Sequence, residues 1–141
     1  MVERTASNRC ATTRTAPLRA ARVLVVEDDL DLLEALRSWL EGRPQIEAYT
    51  FASAEEAVAS DLPAGFDLCL LDYRLGGVDG VMLGAMIREI DPRTRLVLMS
   101  GVLTPRVERL ALEHGFQAVV SKPVSLATLE QLLFDVTGVA A

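Results

Sequence analysis

Residues Leu68-Cys69-Leu70-Leu71 run without a polar interruption into Asp72, and a glycine-containing loop follows, ending in Asp79-Gly80. A continuous apolar run reads as a strand covered on both faces, the condition of a parallel sheet. Parallel strands cannot be joined by hairpins, so each must be followed by a crossover, usually a helix. A carboxylate at the carboxyl end of such a strand lies on the edge where open α/β sheets place their ligands. The plainer reading of Asp72 alone is a turn cap, so the rest of the chain decides between the two.

The same unit occurs five times. Val23-Leu24-Val25-Val26 leads into Glu27-Asp28-Asp29 and a helical pattern in which Leu30, Leu33, Leu36 and Leu40 share a face, widened by Leu32 and Trp39, until Gly42 and Pro44. Ile46 to Thr50 partly alternates, which suits a less buried edge strand, and Ser53-Ala54-Glu55-Glu56 is a capping-box signature for a short helix ended by Pro63 and Gly65. After the strand at 66–71, a third helix is predicted from about Asp79 to Ile90, with Leu83, Met86, Ile87 and Ile90 facing inward and Asp91-Pro92 closing it. Leu96 to Met99 forms a strand ending at Ser100, and Pro105 opens a fourth helix that Gly115 ends. His114, the only histidine, falls in the last turn of that helix, where it suits the helix dipole or plain exposure better than catalysis. Gln117 to Val120 forms a strand ending at Ser121-Lys122-Pro123, and the last helix starts after Ser125 and buries Leu126, Leu129, Leu132, Leu133 and Val136. Strand–helix repeated five times predicts a parallel sheet with helices on both faces.

Four of the strands end in chemistry: Glu27 and Asp28, Asp72, Ser100 and Lys122. Right-handed crossovers bring all four ends to one edge of the sheet. Two carboxylates about 5 Å apart repel by roughly 3 kcal/mol at an effective dielectric near 20. Three acids in one pocket therefore need a cation, or one must hold a proton. Lys122 supplies one positive charge. It is also the single lysine beside thirteen arginines, which suggests a site that needs a compact ammonium. All-oxygen ligands without histidine or thiolate point to Mg²⁺, with Mn²⁺ as a substitute. A carboxylate beside such an ion can attack a phosphoryl group, and Asp72, ending the central apolar strand, is the best nucleophile.

Composition narrows the partners. The chain has 141 residues, enough for one domain, and no apolar run approaches the ~20 residues of a membrane span, so it reads as soluble. Residues 1–22 hold five arginines and one acid, a net +4, which leaves −10 on the rest of a chain with net charge −6. An acidic body disfavours nucleic-acid binding by the folded part. Residues 1–20 read as a disordered basic leader; an organelle transit peptide is the other reading of its Arg/Ser/Thr content. Cys10 and Cys69 fall in a polar leader and an apolar run, which predicts no disulfide, a reducing compartment and a buried, inert Cys69.

The motifs Val25-Val26-Glu27-Asp28-Asp29, Leu71-Asp72-Tyr73-Arg74-Leu75 with Val78-Asp79-Gly80, Met99-Ser100-Gly101 and Ser121-Lys122-Pro123 resemble the receiver domain of bacterial two-component response regulators. The resemblance covers about residues 22–138. It implies a flavodoxin-like (βα)5 fold with strand order 2-1-3-4-5, a receiver domain over 21–138 and a tail at 139–141. It implies that Asp72 takes a phosphoryl group from a phosphohistidine on a sensor kinase or phosphotransfer protein. Asp28 would ligate Mg²⁺ directly, Glu27 through water and Arg74 through its backbone carbonyl, while Ser100 and Lys122 hold phosphoryl oxygens. A cis Lys122–Pro123 bond, a cytoplasmic location and a downstream protein target on the surface of the fourth helix, fifth strand and fifth helix are further implications, with homodimerisation left open.

Three departures stand out. Gly76 and Gly77 occupy the loop where the family usually has proline four residues after the phosphoacceptor. Val119 stands where it often has Tyr or Phe. Only a few small residues follow the last helix, so no output domain is expected in this chain, which reads as a signalling switch and not a separate enzyme. The alternative is a pseudo-receiver that binds or dimerises without phosphorylation. An aspartate-nucleophile phosphatase would need a second acid two residues after Asp72, where Arg74 stands.

Overall fold

A computed structural model describes residues 20–60, 65–75 and 79–138. The elements alternate without exception: β1 Ala21–Val26, α1 Leu30–Glu41, β2 Ile46–Phe51, α2 Ala54–Ala59, β3 Leu68–Asp72, α3 Gly80–Ile90, β4 Arg95–Ser100, α4 Pro105–Glu113, β5 Ala118–Ser121 and α5 Leu126–Thr137. All strand pairs are parallel, in the order β2-β1-β3-β4-β5. This is the flavodoxin-like α/β architecture with strand order 2-1-3-4-5 that the sequence predicts.

Strand alternation divides the core into two layers. Leu24, Val26, Cys69, Leu71, Leu96 and Leu98 face one side of the sheet, with Ala54 and Ala57 of α2, Val81 and Leu83 of α3 and Val107 and Ala111 of α4. Val23, Val25, Leu68, Leu70, Val97 and Met99 face the other side, with Leu36 and Leu40 of α1 and Leu129, Leu132 and Leu133 of α5. Every residue of β3 is buried, as its uninterrupted apolar run requires, and β2 is a half-exposed edge strand.

Each helix starts on a side chain that satisfies its orphan N–H groups: Asp29, Ser53, Asp79, Thr104 and Ser125. Pro105 occupies the first turn of α4, and Gly115 ends that segment at φ 88°, where a Cβ is disfavoured. Cys69 is buried and unbonded, and Cys10 lies outside the described residues.

Helix faces depart from the sequence reading in several places. Leu30 and Leu126, each the first residue of its helix, are exposed, because the first turn projects beyond the sheet edge that its later turns cover. In α3 the buried residues are Gly80, Val81, Leu83 and Gly84, and Ile87 is half-buried, while Met86 and Ile90 point outward. Gly80 and Gly84 lie close against the end of β3 and the Phe116 ring, and they share the inward face with Val81 and Leu83, which turns Met86 and Ile90 away from the core. The third strand begins at Leu68 instead of 66; just ahead of it the Asp67 carboxylate accepts the Arg22 N–H at 2.8 Å while the Asp67 N–H donates to Arg22 O at 2.9 Å. The capping box is off by one residue: Glu56 N–H bonds to Ser53, but the Glu56 carboxylate accepts from Ala52 N–H. The expected stop at Pro63 and the loop glycines Gly76 and Gly77 lie outside the described residues.

Candidate functional site

Register fixes the site. Val26 pairs with Leu71, Asp72 with Met99 and Ser100 with Ser121, so the carboxyl ends of β1, β3, β4 and β5 form one row. Tyr73 N–H extends the ladder to Met99 O at 2.8 Å and Lys122 N–H to Ser100 O at 2.9 Å. Beyond that row lies a cleft of about 390 Å³ lined by Asp28, Asp72, Tyr73, Arg74, Ser100, Gly101, Val102 and Lys122. The sequence-predicted residues Asp28, Asp72, Arg74, Ser100 and Lys122 therefore meet in one cavity, with Glu27 immediately beneath.

Lys122 bridges the two buried acids, its Nζ 2.8 Å from Glu27 Oε1 and 3.0 Å from Asp72 Oδ1. Glu27 is fully buried, and its other oxygen accepts Asp29 N–H at 3.1 Å. Burial pushes the Glu27 carboxyl up to about 7 despite the opposing pull of Lys122 and the Asp29 N–H, and the neighbouring Asp72 adds to the rise. Burial alone would pull the Lys122 ammonium down, but its bonds to Glu27 and Asp72 outweigh that and hold it above its ordinary value. Asp72 is almost wholly buried and accepts Arg74 N–H at 3.3 Å, whereas Asp28 is exposed at the mouth.

The carboxylates of Glu27, Asp28 and Asp72 each place an oxygen within 4.8 Å of the others. Three acids share one nearby ammonium, so the donor set is under-neutralised and all-oxygen. That fits a hard divalent cation and not a soft one. Ser100 is buried beside them. Its hydroxyl donates to Val102 O at 2.6 Å and accepts Val102 N–H at 3.0 Å, so it is turned to its own loop and not to Asp72.

Two features of the site escape a reading of residue types. Val102 uses only backbone groups to hold Ser100. Gly80 sits so near the strand end that a Cβ there would collide with the Asp72 carbonyl oxygen and lie 2.9 Å from its carbon. The Asp79-Gly80 pair in the sequence is the one visible trace of that approach.

An open parallel sheet with an acidic, cation-fitting cleft at its carboxyl edge defines a flavodoxin-like α/β protein whose ligand site is built from strand ends. The response regulator receiver domain family matches residues 23–134, and this chain belongs to that family. Among its relatives, the C4-dicarboxylate transport transcriptional regulatory protein DctD of Rhizobium meliloti is 32% identical over 113 residues, covering 79% of this chain and 24% of that protein. The transcriptional regulatory protein ResD of Bacillus subtilis is 35% identical over 100 residues, covering 69% of this chain and 38% of the relative. The chain thus spans less than half the length of these relatives. A CheY-like response regulator receiver domain protein from Methanospirillum hungatei superposes with a TM-score of 0.75 at 25% identity, over 82% of this chain and 92% of that one. Vibrio cholerae chemotaxis protein CheY4 shares the fold at a TM-score of 0.74 and 23% identity, over 83% of this chain and 98% of that one. Among the described residues no helix is long and apolar enough to cross a membrane.

Proposed function

We propose that residues 21–138 act as the phosphoacceptor switch of a cytoplasmic two-component phosphorelay, with Asp72 as the phosphoacceptor. The observation that carries this reading is the convergence of a buried carboxylate, a buried hydroxyl and a lysine ammonium on one cation-fitting cleft. An Asp72 carboxylate oxygen would attack the phosphorus of a phosphohistidine on a sensor kinase or phosphotransfer partner. The new P–O bond forms as the P–N bond breaks, and the imidazole nitrogen keeps the electron pair. Lys122, already 3.0 Å from Asp72, neutralises charge on the transferred oxygens. Ser100 would leave Val102 O and donate to the same group.

Asp28, Asp72 and Glu27, with the Arg74 backbone carbonyl, are the residues to hold Mg²⁺ or Mn²⁺. A bound divalent ion supplies charge neutralisation for the phosphoryl oxygens and lowers repulsion among the carboxylates. A phosphoryl group adds about two negative charges next to Ser100 and Lys122. Both lie at the ends of β4 and β5, so the switch biases the α4–β5–α5 surface, where a groove of about 230 Å³ runs between α4 and β5 past Leu112, Ala118 and Val119. A downstream protein would read that surface. Residues 1–20 and 139–141 are taken as a leader and a tail to this unit.

The second reading is a phosphorylation-independent binding module, supported by Val119, which has no ring to follow Ser100 inward. Incubation with Mg²⁺ and a small acyl-phosphate donor separates the two. Intact mass rises by one phosphoryl group in the first case and stays unchanged in the second.

A further inference from the structure

Helix α3 is apolar on two sides. Val81, Leu83 and Gly84 are buried against the sheet, yet Met82, Met86 and Ile90 stand exposed at 58%, 47% and 75%. Their spacing of four residues makes them one stripe, about 12 Å long. On the neighbouring helix Val58 is 57% exposed, and a cavity of about 310 Å³ between the two helices is lined by Ala54, Glu55, Val58, Ala59 and Met86. Helices that are apolar all round are normally covered. The proposed phosphoacceptor chemistry uses none of these side chains.

We propose that this α2–α3 face docks an amphipathic helix of a partner protein, one with apolar anchors at i, i+3, i+4 and i+7 and basic residues on its flanks. Four half-exposed apolar side chains offer on the order of 400 Å², the size of a functional patch on a monomer. That is about half of the ~800 Å² each side gives to a standard protein–protein interface, which suits one helix better than a second globular surface. Two methionines make the floor adaptable to an inserted side chain. The exposed acids Glu55 and Glu89 stand beside the stripe, and the chain after residue 22 carries a net −10. A second copy would set acid against acid, whereas a basic-flanked helix meets complementary charge. The site is independent of phosphoryl transfer, so its test needs no phosphodonor.

The test uses the full chain with ¹³C-methyl methionine and a synthetic 18-residue amphipathic peptide built from leucine and lysine. Met82 and Met86 are the reporters, and fully buried Met99 is the internal control. The expected result is a saturable shift of the Met82 and Met86 methyl signals with Met99 unmoved. Met86→Lys and Val58→Lys each weaken binding at least tenfold. A peptide of the same composition without helical periodicity, and one with glutamate flanks, bind at least tenfold more weakly than the parent. Equal binding of all peptides, or undiminished binding by the charged variants, would overturn the proposal. Concentration-dependent shifts of Met82 and Met86 without peptide would overturn it in favour of self-association. The proposal also fails if those signals move, without peptide, when Arg4, Arg9, Arg14 and Arg19 are changed to glutamine, since the chain's own leader would then be the occupant.

Discussion

Glu27 carries the sharpest consequence of burial in the site. Its carboxyl is pushed from an ordinary value of 4.5 up to about 7, so between those two values the unfolded chain releases a proton that the folded one keeps. The folded state binds more protons in this window, so stability falls as pH rises from about 4.5 to about 7 and stays lowered above it. In metal-free buffer the fall should be at most on the order of 3 kcal/mol, read by denaturant unfolding at a series of pH values. Glu27→Gln should remove most of that fall and be the more stable protein at pH 8. A pH profile unchanged by the substitution would rule out Glu27 as its source. That a single ammonium had to serve three acids was legible in the sequence; that Lys122 contacts Glu27 as well as Asp72 was not. The full burial of Glu27 beside an exposed Asp28 was not, since adjacent residues of one strand end point to opposite sides and residue type does not say which points in.

The glycines of α3 do for the helix what Asp72 does for the strand. Gly80 lies against the Asp72 carbonyl, and Gly84 faces the Phe116 ring, where an added Cβ would collide. Gly84→Ala should therefore destabilise by ~1–3 kcal/mol, as overpacking does, despite the better helix propensity of alanine. Gly80→Ala should displace the end of β3 and slow phosphoryl uptake from an acyl-phosphate donor more than it lowers the thermal midpoint. Equal effects of the two alanines on uptake would contradict that division. Here the sequence misleads for a physical reason. Periodicity weights large apolar residues, so it turned Met86 and Ile90 inward, whereas close helix–sheet approach selects small ones. The existence and order of all ten elements were legible because four strands hold short apolar runs, β2 partly alternates, and each helix begins on a capping side chain.

Across the whole molecule, the site is a property of the sheet and not of any one loop. β1, β3, β4 and β5 each contribute a residue, and Arg88 ties α3 to the turn before β5 by donating to Gly115 O at 2.6 Å. An ion bound by acids from β1 and β3 should therefore resist global unfolding. Millimolar Mg²⁺ should raise the thermal midpoint in a concentration-dependent way, by the linkage of binding to folding. Asp28→Asn should abolish most of that rise; a rise that persists would place the ion elsewhere. The shared edge of the strand ends was legible because right-handed crossovers enforce it once five strand–helix units are recognised, whereas the strand order came from the resemblance to receiver domains. The resting partner of the Ser100 hydroxyl was not legible, because Val102 holds it through backbone groups that any residue would offer.

The central claim is that Asp72, among three neighbouring acids, is the one that takes the phosphoryl group. Borohydride reduces an acyl phosphate to an alcohol, so reduction after exposure to Mg²⁺ and a small acyl-phosphate donor should convert the labelled aspartate to homoserine. Peptide mass mapping is expected to find homoserine at position 72, none at position 28, and no reduced glutamate at position 27. Conversion at Asp28, or a phosphoryl adduct that survives in Asp72→Asn, would contradict the account.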